Sequence, residues 1–175
     1  MNRTMLIYNP ASGQRRERRA KQIARIIEVF RAAGLQLEAN ATTHAGSAIE
    51  QARQAAASRF DTVIACGGDG TINETLNGLM LSSSDAALGV VPLGSGNLLA
   101  TDLRLPSDPV AAARKLLTYK PRDVHPGMIS SRGGAGPPDR YFLVAAGVGS
   151  DAELMYRTAV EAKERYGRNA YFLEM

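Results

Sequence analysis

The chain has few of the residues from which disulfide frameworks and metal centres are built. It contains one cysteine and two histidines in 175 residues. A single cysteine excludes an internal disulfide. Cys66, His44 and His125 also lack the spacing of zinc ligands, so we reject a zinc site.

Long apolar runs are absent as well. No run approaches the roughly 18 residues that mark a membrane-spanning helix, and the amino terminus has no signal-peptide pattern. We therefore expect a cytoplasmic protein that is not integral to a membrane. The 45% hydrophobic and 22% charged content is that of an ordinary globular domain. The net charge of +4 favours an anionic partner.

The two common nucleotide-binding sequences are missing too. Segment 61–78 contains glycines after an apolar run, but neither Gly-Lys-Ser/Thr nor Gly-x-Gly-x-x-Gly. The apolar run, Thr62 to Cys66, is typical of a buried strand, and the glycines behind it would let a ligand approach the backbone. The segment therefore predicts a phosphate site that uses Asp69 instead of a P-loop lysine.

Capping sequences predict where three helices begin. Thr71 with Glu74, and Ser47 with Glu50, match the capping box. The first would point free amides and the positive end of a helix dipole at an anion. Asp108-Pro109 places a capping side chain before a first-turn proline and predicts another helix start.

Apolar patterning predicts strands that alternate with helices. The order predicts an α/β fold, a Rossmann-like parallel sheet with helices on both faces. Its phosphate-binding loops should lie together at the carboxyl ends of the strands. Strands are predicted at 5–8, 35–41, 62–66 and 88–91, and helices at 16–33, 47–58, 71–80 and 109–119.

Composition changes after Pro121. Two further strands are predicted at 124–129 and 140–147, separated by a loop rich in glycine and proline, and a charged helix at 152–166.

Three loop sequences carry a specific resemblance. They are Asn9-Pro10-Ala11-Ser12-Gly13, Gly67-Gly68-Asp69-Gly70-Thr71 and Pro92-Leu93-Gly94-Ser95-Gly96-Asn97. In this order, each at a predicted strand end, they resemble the diacylglycerol kinase catalytic-domain family, which includes the sphingosine and bacterial lipid kinases. Gly-Gly-Asp-Gly alone also resembles NAD kinases and phosphofructokinases.

The resemblance implies a nucleotide-binding α/β domain, at 1–122, and the start of a mostly β lipid-binding domain, at 123–175. It implies an ATP-dependent lipid kinase that uses Mg²⁺ and transfers the γ-phosphoryl group to a lipid hydroxyl. The anionic partner then narrows to ATP and a membrane surface, with no nucleic acid, and the protein could be peripheral to the inner face of the membrane.

The resemblance also implies a set of nucleotide-site residues. Asp69 would join the Mg-ATP network, Ser12 would donate to phosphate oxygens, and Ser95 would bond a phosphate or a metal-bound water. The whole set is Asn9, Pro10, Ala11, Ser12, Gly13, Thr42, Gly67, Gly68, Asp69, Gly70, Thr71, Asn73, Glu74, Gly94, Ser95 and Asn97.

Structural explanations compete at several of these positions. Asp69 could be a turn residue that bonds its own backbone, and Asn-Pro-x-Ser-Gly is often an ordinary turn. Thr42 could be a plain strand-end threonine. Asn97 could orient Ser95, or either residue could cap a helix.

Basic residues crowd the start of the first predicted helix. Positive charge there opposes the helix dipole, by about 0.3–1 kcal/mol for each exposed side chain, and an anion could offset it. A solvated helix face is the alternative to ATP phosphate or an anionic lipid surface. The residues are Arg15, Arg16, Arg18, Arg19, Lys21 and Arg25, against one acid, Glu17.

Two departures from the family pattern qualify the resemblance. His125 stands where relatives have an aspartate of the nucleotide-metal network, and Asp123 would point to the other face of a strand. The chain also stops at Met175 in an apolar segment without a stop signal, whereas relatives are nearly twice as long. We interpret it as a fragment whose catalytic base lies beyond residue 175, inactive alone.

Two rivals to the lipid kinase stay open: an NAD kinase-like enzyme, and a non-catalytic nucleotide- or lipid-binding module. If 123–175 is an incomplete domain, we expect self-association as a homo-oligomer, or disorder after about Pro121. Its unpartnered apolar residues would be Tyr141, Phe142, Leu143, Tyr171 and Phe172.

Overall fold

The computed structural model describes residues 3–12, 16–82, 84–130 and 139–146. All strands and helices predicted before residue 120 are present, and residues Leu98–Asp102 form an additional short helix. The predicted helix at 152–166 lies outside the described residues. The elements are β1 (Arg3–Tyr8), α1 (Arg16–Ala32), β2 (Gln36–Ala41), α2 (Ser47–Ala57), β3 (Thr62–Gly67), α3 (Asp69–Met80), β4 (Ala87–Pro92), α4 (Leu98–Asp102), α5 (Pro109–Leu116), β5 (Gly127–Ile129) and β6 (Arg140–Phe142).

The first four strands form one parallel sheet in the order β2-β1-β3-β4. Tyr8 pairs with Ala41 of β2 on one side and with Cys66 of β3 on the other, and Cys66 pairs with Val91 of β4. These pairs put the carboxyl ends of all four strands at one edge. The apolar run of β3 is buried over its whole length because it lies in the middle of the sheet.

Helices cover both faces of the sheet, as predicted. Alternate residues of β1 point to opposite faces: Leu6 packs with Phe30 of α1 and Leu116 of α5, whereas Met5 and Ile7 pack against the alanines of α2. The chain therefore has the predicted α/β fold.

The helices α2 and α3 pack closely against each other. A Cβ atom at Gly78 would lie 2.5 Å from the carbonyl oxygen of Ile49 and 2.6 Å from the Cβ of Ala52. Only glycine allows this approach, and it brings side chains of α3 within reach of the first turn of α2.

Both predicted capping boxes are wrong. The helix α2 follows Gly46, which has φ 90° and no side chain, and the hydroxyl of Ser47 bonds back to His44. The helix α3 begins at Asp69 rather than near Thr71, directly after Gly68, because β3 continues to Gly67 and leaves almost no loop. The cap at Asp108 is confirmed, since its carboxylate accepts from the amide of Ala111 at 2.7 Å.

The described residues after 122 contain an antiparallel pair of strands, the β5–β6 hairpin, outside the main sheet. The strands β5 and β6 have three residues each, fewer than predicted, and Gly127 pairs with Phe142. Tyr141, Phe142 and Leu143 are half-buried rather than exposed. Tyr171 and Phe172 lie outside the described residues.

No helix in the described part of the chain is long and apolar enough to cross a membrane.

Candidate functional site

The three motif loops meet at the carboxyl edge of the sheet. The amide of Asn9, after β1, donates to the carbonyl of Cys66 in β3 at 3.0 Å, and the amide of Leu93, after β4, donates to Gly67 at 2.8 Å. The hydroxyl of Ser12 accepts from the amide of Gly68 at 3.3 Å. Residues as far apart in sequence as Asn9 and Leu93 are thus held in one cluster of backbone and side-chain hydrogen bonds.

The first motif loop is fixed from within and from α1. The side-chain oxygen of Asn9 accepts from the amide of Ala11 at 2.8 Å, which is the local turn that competed with a binding role. Arg19 is 4% exposed and its guanidinium donates to the carbonyl of Pro10 at 2.8 Å. Arg19 therefore supports the loop and does not belong to a solvated helix face.

Asp69 bridges the second and third motif loops. It is the first residue of α3, and its Oδ1 accepts from the amide of Leu98 at 2.7 Å. Its Oδ2 faces Gly96, where an added Cβ would lie 2.7 Å away. Asp69 thus does not bond its own turn. It joins two loops and, within the described residues, makes no hydrogen bond through Oδ2.

The glycines of the second and third motif loops serve different structural purposes. A Cβ on Gly94 would lie 2.4 Å from the Cα of Gly68, so this pair permits loop-to-loop contact. A Cβ on Gly70 would meet nothing within 4 Å. Gly70 is exposed, and its backbone can be approached from outside the protein.

Asn97 closes its own loop rather than orienting Ser95. It has φ 51°; its Oδ1 accepts from the amide of Gly94 at 3.0 Å, and its Nδ2 donates to the carbonyl of Gly94 at 2.7 Å. Ser95 is exposed at the tip of the loop. No bond joins Ser95 and Asn97 in the described structure, and neither side chain caps α4.

Thr42 lies at the same edge, after β2. Its amide donates to the carbonyl of Tyr8 at 2.8 Å. The side-chain amide of Gln51, on α2, donates to the carbonyl of the preceding residue, Ala41, at 2.8 Å. Thr42 is thus placed beside the first motif loop, where a ligand could reach both.

Three predicted site residues on α3 point in different directions. Thr71 is buried, with its hydroxyl against Gly67, where an added Cβ would lie 2.5 Å away. Asn73 is exposed. Glu74 bonds the start of α2: its two oxygens accept from the amides of Gly46 at 2.9 Å and Ala48 at 3.3 Å. The carboxylate of Glu74 therefore occupies the amino-terminal end of α2, where an anion would otherwise bind.

The first turn of α1 is only partly described. Gly13 and Arg15 lie outside the described residues, as does the side chain of Arg16. Of the described basic residues crowded at the start of α1, those that are exposed are Arg18, Lys21 and Arg25. Their spacings of three and four place them on one face of the helix.

An apolar groove of about 640 Å³ opens beside the first motif loop, between that loop and α1. Sequence patterning missed it because its wall combines a strand end, a loop and one side of a helix. Its lining residues are Tyr8, Pro10, Ala11, Ala20, Ile23, Ala24 and Ile27.

The side chain of Cys66 is fully buried beneath the motif loops. Burial raises the pKa of its thiol from the ordinary 9.0 to about 12, so the thiol stays protonated and unreactive near neutral pH.

No group of three histidine, cysteine, aspartate or glutamate residues that could hold a metal ion occurs in the described ranges. His125 and Asp123 are exposed in the segment before β5, which begins only at Gly127. The prediction that Asp123 points to the other face of a strand is wrong for two reasons. No strand is formed there, and residues two positions apart, such as Asp123 and His125, would share one face of a strand.

Known proteins resemble this chain over most of its length. Residues 3–129 match the diacylglycerol kinase catalytic domain. A diacylglycerol kinase of Bacillus subtilis (strain 168) is 38% identical over 175 residues, which cover 99% of this chain and 54% of the relative. One from Staphylococcus epidermidis (strain ATCC 12228 / FDA PCI 1200) is 33% identical over 172 residues, covering 98% and 51%.

The fold has the same relatives. The crystal structure of a diacylglycerol kinase from Bacillus anthracis str. Sterne matches with a TM-score of 0.59 and 30% identity, over 65% of this chain and 40% of that chain. This chain spans about half the length of the curated relatives it matches. From the match over residues 3–129 and the likeness in sequence and fold, the chain belongs to the diacylglycerol kinase catalytic-domain family.

Proposed function

We propose that this chain is the nucleotide-binding part of an ATP-dependent lipid kinase. The reaction moves the γ-phosphoryl group of ATP to a hydroxyl of a diacylglycerol-like lipid. The observation that carries the proposal is the meeting of the three motif loops, with Asp69 between them, at the carboxyl edge of a parallel sheet. Ligands of open α/β sheets bind at this edge.

The first turn of α3 is the best position for phosphate. The amide of Gly68 is taken by Ser12, whereas the backbone at Gly70 is exposed and has no neighbour that an added Cβ would meet. Free amides and the positive end of the helix dipole attract phosphate oxygens there. The start of α2 is closed to phosphate because Glu74 occupies it.

The donor set fits magnesium that arrives with ATP. Mg²⁺ is held by one or two carboxylates, substrate phosphates and water, and Asp69 offers one carboxylate oxygen that faces the adjacent loop. The metal would offset charge on the transferred phosphoryl group. Ser95, exposed on the third motif loop, is the residue proposed to bond a phosphate or a metal-bound water.

The acceptor lipid is proposed from the relatives' names alone, since they are called diacylglycerol kinases. The face of α1 with Arg18, Lys21 and Arg25 supports contact with an anionic membrane surface, because each basic residue near such a surface contributes about 1 kcal/mol.

Labelled ATP and three acceptors test the proposal. The chain is incubated with Mg-ATP and a short-chain diacylglycerol, a sphingoid base or NAD, and calorimetry measures Mg-ATP binding. We expect saturable Mg-ATP binding and no transfer to NAD. Transfer to a lipid would come from the chain itself or from a version extended to the length of its relatives.

Three outcomes separate the hypotheses. Phosphorylation of NAD would make the protein an NAD kinase-like enzyme. Mg-ATP binding without transfer to any lipid in the extended version would favour the non-catalytic module. Absence of Mg-ATP binding would contradict the proposal at its base.

A further inference from the structure

Asn77 is a fully buried polar residue whose role the nucleotide site does not explain. It lies on α3, is 0% exposed, and uses its carboxamide completely. One N–H of Nδ2 donates to the carbonyl of Asn73 at 2.8 Å, and the other donates to the carbonyl of Tyr141 in β6 at 3.0 Å. Its Oδ1 accepts from the amide of Tyr141 at 2.9 Å.

Among the described residues, no strand pairs with Tyr141 on the side where Asn77 lies. In an antiparallel pair the N–H and C=O of one residue point to the same side. Both groups of Tyr141 point to Asn77, hence away from Met128, its opposite residue on β5. The carboxamide presents one donor and one acceptor side by side, as a neighbouring strand would, and so completes the outer edge of β6.

Apolar contacts reinforce this junction. Leu143, two residues after Tyr141, packs against the cluster that contains Ile72 of α3 and Leu99 of α4. Across the hairpin, the ring of Phe142 covers Gly127, where an added Cβ would lie 2.3 Å from it. The hairpin is therefore tied together and tied to α3.

We propose that Asn77 docks the β5–β6 hairpin onto α3 by acting as a substitute strand for Tyr141. Asn77 is eight residues, just over two turns, after Asp69 on the same helix. The β5–β6 hairpin thereby takes a fixed position relative to the phosphate loops. That consequence for phosphoryl transfer rests on the proposed function, whereas the docking itself does not.

Amide exchange at Tyr141, measured by NMR on the whole chain, tests the docking. The variants are Asn77→Leu, which removes donor and acceptor, and Asn77→Asp, which keeps the shape. Thr75→Val is the matched control, because Thr75 is also fully buried on α3 and its hydroxyl donates to the carbonyl of Thr71, within the same helix. We expect the protection of the Tyr141 amide to fall about tenfold or more in Asn77→Leu, and to change little in Thr75→Val.

Acidification distinguishes a specific bond from general loosening. At about pH 7 the Asp carboxylate in Asn77→Asp would repel the Tyr141 carbonyl, whereas the protonated acid again has one donor and one acceptor. Burial raises the pKa of such a carboxyl above about 4, so protection should return on mild acidification in Asn77→Asp and not in Asn77→Leu.

Unchanged Tyr141 protection in a folded Asn77→Leu variant would overturn the proposal. So would the absence, in the unmodified chain, of scalar coupling across the hydrogen bond from Nδ2 of Asn77 to the Tyr141 carbonyl, a measurement that needs no variant. Mg-ATP affinity in the same samples keeps the two proposals apart. Failure of ATP to bind would contradict the proposed function and leave the Tyr141 result standing.

Discussion

Single residues at the carboxyl edge combine structural and binding roles that were alternatives at the level of sequence. Asp69 is the clearest case, because its two oxygens face different partners. Oδ1 accepts from the amide of Leu98 and holds the third motif loop. Oδ2 is the oxygen proposed for the Mg-ATP network. At the level of sequence, Asp69 could be either a turn residue or a ligand. In the structure, one of its oxygens joins two loops and the other can still bind a ligand.

Replacing Asp69 by asparagine should separate these roles. The amide oxygen of Asn can still accept from Leu98, so the fold should survive, whereas the negative charge is lost. We expect Mg-ATP affinity to fall about tenfold or more, roughly 1.4 kcal/mol. The melting temperature should fall only slightly, because an acid is lost from the first turn of α3. Calorimetry measures the affinity. Asp85→Asn, an exposed aspartate before β4, is the charge-matched control, and an equal loss in that variant would argue against a role for Asp69.

The glycines Gly94 and Gly70 should respond oppositely to alanine. A Cβ at Gly94 would meet the Gly68 backbone at 2.4 Å, so Gly94→Ala should reduce the free energy of unfolding by about 1–3 kcal/mol. Gly70 has open space in the first turn of a helix, so Gly70→Ala should leave that free energy unchanged or higher. If phosphate approaches Gly70, the alanine variant should nevertheless bind ATP more weakly.

Urea unfolding and calorimetry on both variants give these two quantities. Stable Gly94→Ala would contradict the loop contact. Full ATP affinity in Gly70→Ala would place the phosphate elsewhere.

The thiol of Cys66 should make stability depend on pH at the alkaline end. Its folded pKa of about 12 exceeds the ordinary 9.0 of the unfolded chain, so the unfolded state releases a proton first. The contribution of the neutral thiol to the free energy of unfolding is therefore complete below about pH 9, and it is lost as the pH rises toward about 12. A disulfide reagent at mildly alkaline pH should react only under denaturant, and fast reaction of the native chain would show that the thiol is accessible.

At the scale of elements, local sequence predicted the helices and strands and failed at their junctions. The strands β1 to β4 and helices α1 and α2 lie within two residues of the predicted bounds because apolar periodicity is a local signal. The predicted cap of α2 was wrong because the first amides of this helix are bonded by Glu74, which comes from α3. No residue near Gly46 in the sequence indicates that contact. The contact of Gly68 with Gly94 was hidden for the same reason, since it depends on how the sheet assembles.

The cap supplied by Glu74 can be tested against the capping box that sequence predicted. Glu74→Gln removes a carboxylate that accepts two amides at the start of α2, so the free energy of unfolding should fall by about 1 kcal/mol. Glu50→Gln changes the acid of the predicted capping box, which is exposed in the first turn of α2. The free energy of unfolding should then fall by less, because only the interaction of Glu50 with the helix dipole is lost. Urea unfolding measures the free energy of unfolding of both variants. A larger loss of stability in Glu50→Gln would support the predicted capping box instead.

At the scale of the whole molecule, the sequence predicted the parallel sheet, its helical cover and the edge where the motif loops gather. It did not predict that β6 would be bonded to α3, because Asn77 looks like any polar residue of an amphipathic helix. The proposed boundary at residue 122 stays a prediction. The exposed apolar side chains of the hairpin region are Val124, Met128, Ile129 and Val144, so self-association there also remains to be measured.

The charge distribution yields the last prediction. Arg18, Lys21 and Arg25 lie exposed on one face of α1, next to the apolar groove, whereas Arg19 is buried against Pro10 and must be left unchanged. Reversal of the three exposed bases to glutamate should abolish most sedimentation with anionic vesicles at low salt, because each contributes about 1 kcal/mol near such a surface.

A second triple reversal, at Arg53, Arg114 and Lys120, makes the same change of net charge on exposed positions of other parts of the chain. If α1 faces the membrane, this control should retain most of its vesicle binding, and the binding that remains should weaken as salt shortens the reach of the charges. Equal losses in the two triples would mean that vesicle binding follows net charge alone. The exposed face of α1 would then be a solvated helix face, and the membrane-facing side of the molecule would have to be sought on the hairpin.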